Sequence, residues 1–167
     1  KQTLALYRLL DELKHRHPGL EIESCASGGG RIDLGILEHT DRVWVSDTND
    51  ALERQRMQRW TSQVLPPELM GAHIGPHRAH TSGRTHDLTF RAITALFGHA
   101  GLEWDITTTT PEEREMLKSW ASYYKARRNL LHRGRMVRVD YNEPFASLHG
   151  VVSHDQTQAI FAFVQEG

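Results

Sequence analysis

Asp47 closes the run Arg42-Val43-Trp44-Val45-Ser46, which is rich in β-branched and aromatic residues and reads as a strand. A carboxylate at the C-terminal end of such a strand can act as a general acid or base; equally, Ser46, Asp47 and Thr48 can accept hydrogen bonds from the free amides of a following helix. Upstream lies Cys25 with the loop Gly28-Gly29-Gly30, where the missing Cβ atoms allow backbone to approach a ligand closely. The loop lacks the spacing and the Lys-Ser or Lys-Thr of a phosphate cradle, so it is either a turn or a substrate-binding loop. Cys25 can be a nucleophile, a ligand contact or small apolar filler. His73, His77, His80 and His86 raise the question of a metal, but they lie in a Gly/Pro-rich segment with no cysteine pair, and hydrogen-bonded histidines are the default. Trp44, Trp104 and Trp120 suit either a core or the apolar face of a sugar.

The elements that must position these residues follow from periodicity. Leu6, Leu9, Leu10 and Leu13 recur at helical spacing until Pro18-Gly19, and the chain opens inside that pattern, which predicts a piece of something longer. Strands are expected at 20–24, 42–46, 69–74 and 102–106, with Gly71 weakening the third. Helices are expected at 32–38, from an Asn49 or Asp50 cap to about Trp60, and around Leu88, Ala92, Ala95 and Leu96. Thr110-Pro111-Glu112-Glu113 starts another with a capping box, which buries Leu117, Trp120, Tyr124 and Leu131 and ends at Gly134. Beyond Arg135 the pattern alternates, and Ser153 to Thr157 turns a hairpin. Alternating helices and strands predict a parallel α/β sheet, half of an eight-stranded barrel or a small doubly wound sheet. In both, active residues gather at strand ends, where Cys25, Asp47, His73 and Trp104-Asp105 fall.

With 167 residues, a quarter of them charged and a net charge of −1, the composition argues against a nucleic-acid or anionic-membrane binder. No apolar run reaches the roughly 18 residues of a span. One cysteine excludes an internal disulfide and fits a reducing, cytoplasmic setting.

Together, Cys25-Ala-Ser-Gly-Gly-Gly-Arg31-Ile-Asp33, Trp44-Val-Ser-Asp47-Thr-Asn-Asp50, Met70-Gly-Ala-His73, Phe97-Gly98, Leu102-Glu-Trp-Asp105 and Tyr124-Lys125 resemble the signature of α-galactosidases of glycoside hydrolase family 36. The resemblance implies the C-terminal half of a TIM (β/α)8 catalytic barrel over residues 1–134 and the start of an antiparallel C-terminal β domain over 135–167. It puts the acid/base on Asp47 and the galactose pocket on Cys25 and Gly28, with an α-galactoside as substrate and no metal or cofactor. The family's nucleophile, an aspartate in a Lys-Trp-Asp strand end, lies upstream and has no counterpart here, since Glu103 precedes Trp104-Asp105. The family usually reads Ser-Asp-Asn-Thr-Asp; here Thr48 and Asn49 are exchanged, which leaves both aspartates in place. The chain alone is therefore expected to be inactive, and the open edges of a half-barrel favour a homo-oligomer. Two other readings stay open: a non-catalytic sugar-binding module, and a galactosyltransferase of the raffinose-synthase type.

Overall fold

The computed structural model describes residues 1–27, 30, 32–140, 142–143 and 145–166. Helix α1 (Gln2–Arg16) leads to strand β1 (Glu23–Ser24), a short helix α2 (Leu34–Leu37) and strand β2 (Arg42–Trp44). Then come helix α3 (Ala51–Thr61), strand β3 (Met70–Ile74), helix α4 (Leu88–Thr94), strand β4 (His99–Leu102) and the long helix α5 (Pro111–Arg133). The first four strands form one parallel sheet in chain order, β1-β2-β3-β4. Strands β5 (Arg135–Asp140), β6 (Ala146–Val152) and β7 (Ala159–Gln165) form a separate antiparallel sheet. Among the described residues no helix is long and apolar enough to cross a membrane.

Several local rules act as expected. Asp50, and not Asn49, caps α3 by accepting from the amides of Leu52 and Glu53. Thr110 and Glu113 form the reciprocal capping box of α5. The fourth strand differs from expectation: it runs from His99 to Leu102 instead of 102–106, pairing residue by residue with Gly71 to Ile74. His99, Ala100 and Gly101 carry little strand propensity, and pairing with β3 overrides it.

Alternation along the strands gives the parallel sheet two faces. Val43 and Met70 pack with Leu65, while Ala72 and Ile74 pack with Leu88, Ala92 and Ala95. Arg42, Trp44, Gly71 and His73 fall on the opposite, polar face. The antiparallel sheet is not a separate body. Leu96, Phe97, Tyr124, Leu131, Val151, Ala162 and Val164 form one buried cluster that joins the two sheets through α5.

Candidate active site

Asp47 stands just past the C-terminal end of β2, exposed, where the chain turns toward α3. Cys25, just past the end of the neighbouring β1, directs its Sγ at Asp47 Oδ1 from 3.8 Å. The parallel register of β1 on β2 brings these two strand ends together although 22 positions separate them. Cys25 is itself exposed, so it is not core filler. Gly28 lies outside the described residues.

A polar layer continues from Asp47 across the sheet. The Glu23 carboxylate accepts from Arg42 Nε at 3.2 Å, and a second bond joins Arg42 Nη1 to Glu21 at 2.7 Å. Trp44 is buried, its ring 4.5 Å from that of His73 and 4.2 Å from the guanidinium carbon of Arg54. Gly71, which weakens β3 as a strand, is required by this layer. A Cβ there would lie 2.6 Å from Glu23 Oε2 and 3.0 Å from the Trp44 ring. Gly101 gives His73 the same room, since its Cβ would sit 2.8 Å from the imidazole. Burial holds the His73 imidazole below its usual value, against the pull of Glu23 and Glu103, so it is neutral near pH 7.

The loop after β3 covers the segment that follows Asp47. Thr81 shares a hydroxyl hydrogen bond of 3.0 Å with Thr48, and the His80 amide donates to Asn49 Oδ1 at 3.1 Å. Ser82, Arg84 and His86 all bond to Asp50, which has no exposed surface. These contacts account for the histidine run. His80 pairs with Asn49, His86 with Asp50, His77 with the His86 carbonyl, and His73 lies 4.0 Å from Glu103. Among the described residues no cluster is arranged to hold a metal ion. Of the other aromatics, Trp120 donates to the Ala92 carbonyl at 3.1 Å and stacks on Tyr124, a core role, and Trp104 lies 5.4 Å from the Arg91 guanidinium.

The sequence does not single out Arg54, the cation whose charge acts on Asp47, nor the roles of Glu23 and Glu103 in the same polar layer. Arg54 is buried on α3 and pairs with Glu103 at 3.1 Å. Burial lowers its pKa, while Glu103, Asp47 and Glu23 pull it back, so it stays charged. A signal was available. The helix Ala-Leu-Glu-Arg-Gln-Arg-Met-Gln-Arg-Trp-Thr has too few apolar residues to bury a face, so polar side chains must fill it, and Arg54 and Gln55 do.

A carboxylate at the C-terminal edge of a parallel α/β sheet, set among polar and aromatic side chains, stands where α/β enzymes gather their active residues. Comparison with known proteins gives the family: residues 1–134 match the melibiase family model, and the chain belongs to that family, glycoside hydrolase family 36. It is 51% identical over 164 residues to an α-galactosidase of Escherichia coli, covering 98% of this chain and 23% of that protein. A solved α-galactosidase from Lactobacillus brevis superposes with a TM-score of 0.93 at 39% identity, over 97% of this chain and 22% of the other. A variant of the family 36 α-galactosidase AgaA from Geobacillus stearothermophilus, in complex with raffinose, superposes with a TM-score of 0.91 at 37% identity, over 96% and 22% of the two chains. The chain thus spans less than a quarter of the length of the relatives it matches.

Proposed function

We propose that this chain supplies the acid/base half of a retaining α-galactosidase, with Asp47 as the acid/base. Residues 1–134 are then the later half of a (β/α)8 barrel and 135–167 the start of a C-terminal β domain. The observation that carries the reading is the meeting of Cys25 and Asp47 at adjacent strand ends, 3.8 Å apart, in a family whose members are named α-galactosidases. The substrate class is an α-galactoside, consistent with the raffinose bound by the AgaA variant.

A retaining mechanism needs two carboxyl groups about 5 Å apart across the scissile bond. A nucleophilic aspartate outside these 167 residues bonds to the anomeric carbon as the glycosidic C–O bond breaks, and Asp47 gives its proton to the departing oxygen. Asp47, now ionised, then takes a proton from water, whose oxygen displaces the nucleophile and restores the α configuration. Cys25 lines the galactose pocket on this reading; Gly28, to which the family pattern gives the same role, lies outside the described residues. Within this chain Asp47 faces solvent at the strand end, open to a substrate.

The test is an assay of the full-length protein on an aryl α-galactoside. Asp47→Ala should lose most turnover, on the order of 10²-fold or more, and azide should restore it with α-galactosyl azide as product. Unchanged activity in Asp47→Ala would reduce Asp47 to a structural role.

A further inference from the structure

Arg54 is the fourth residue of α3, at the end of its first turn, and helical side chains lean toward the N-terminus. Its guanidinium therefore reaches back beyond the Asp50 cap to the turn that carries Asp47. There Nε donates to the Thr48 carbonyl and Nη2 to the Ser46 carbonyl at 3.4 Å, the residues on either side of Asp47. Nη2 also pairs with Glu103, 49 positions away, beyond the end of β4. The Trp44 ring lies against the same guanidinium.

We propose that Arg54 is a positioning residue for Asp47: it grips the two neighbouring backbone carbonyls and anchors them to Glu103, so the carboxyl is aimed by the guanidinium fork. The inference rests on the reading of Asp47 as the acid/base. A lysine keeps the charge opposite Glu103 but cannot direct donors at two carbonyls and a carboxylate in one plane. Arg54→Lys therefore loosens the turn while sparing the ion pair. A displacement of about 1 Å is enough to impair proton transfer.

The experiment uses the full-length protein and a series of aryl α-galactosides whose leaving groups differ in acidity. A leaving group that departs without protonation does not need Asp47 in its first step. Arg54→Lys is expected to lower kcat/KM roughly 10- to 100-fold for the most basic leaving groups and less than about 3-fold for the most acidic. The dependence on leaving-group pKa should steepen toward that of Asp47→Ala, and Glu103→Gln should move it the same way by less. Equal losses for every substrate, or none, with a steep Asp47→Ala series, would leave Arg54 a purely structural cation and overturn the proposal. A shallow Asp47→Ala series would instead sink the acid/base assignment, and the positioning role with it. Arg54→Gln serves as a second variant, with circular dichroism confirming that each protein is folded.

Discussion

Arg84 and Asp50, 34 positions apart, meet at 2.6 Å between Nε and Oδ2, where the carboxylate has no contact with solvent. Asp50 is thus both the cap of α3 and the anchor of the loop after β3. Arg84 is exposed enough to be rehydrated and keeps Glu53, so the loss is that of the cap and the loop anchor, and Asp50→Ala should cost about 1–3 kcal/mol in urea denaturation. Protease cleavage near Arg78 and Arg84 should accelerate in the same variant. Burial pushes the Asp50 carboxyl up, but bonds from Ser82, Arg84 and the amides of Glu53 and Leu52 outweigh it and hold it at about 2. The stabilisation is therefore complete above the ordinary carboxylate value of 3.8 and fades as pH falls toward 2.

His149 titrates at higher pH. Burial, and then the charge of Arg59, lower its pKa from 6.5 to about 4. The unfolded chain takes up a proton below pH 6.5 while the folded one resists until about 4, so stability is full above 6.5 and declines between those values. The loss should approach about 3 kcal/mol. Its ring packs edge-on to Phe97, 5.0 Å between centroids, and Nδ1 has no partner among the described residues. His149→Phe should flatten the stability profile between pH 6.5 and 4, measured by denaturation across that range.

Tyr124 holds the start of β4 from α5. Its hydroxyl donates to the Gly98 carbonyl at 2.8 Å and accepts from the Ala100 amide at 3.2 Å. Tyr124→Phe leaves both groups without that partner and should cost about 1–3 kcal/mol, read as a lower denaturation midpoint.

Gly71→Ala tests the packing of the polar layer. The new methyl meets the Glu23 carboxylate and the Trp44 ring, and should cost about 1–3 kcal/mol. Glu23→Ala should recover part of that loss, so the two changes should combine non-additively in a double-mutant cycle. Additive losses would show that Gly71 is needed for some other reason.

The order of elements was legible in the sequence wherever the signal is local. The Thr110 capping box, the Asp50 cap, the breaks at Pro18-Gly19 and Gly134 and the hairpin at Ser153 all depend on neighbouring residues. Strand β4 is not legible locally because His99-Ala100-Gly101 becomes a strand only through its pairing with β3. The site divided along the same line. Asp47 and Cys25 carry their own chemistry and stand in a recognisable pattern. Arg54 and Glu103 work through a contact spanning 49 positions; the apolar-poor helix signals that some polar side chain turns inward, but not which one or toward what partner. The histidines show the reverse, a conspicuous run of which His77, His80 and His86 serve to fasten a loop while His73 belongs to β3.

The buried cluster around Leu96 and Phe97 determines how the molecule comes apart. Its members belong to the corner before β4, to α5 and to both strands of the hairpin β6–β7, so neither sheet can lose its packing without exposing part of the other's. Thermal melting should proceed as a single cooperative step, with amides of β3 and of β6 exchanging at the same global rate in the region beside α5. A polypeptide cut after Gly134 would carry an open wound in its own interior, and the antiparallel strands act as the keystone of the parallel sheet.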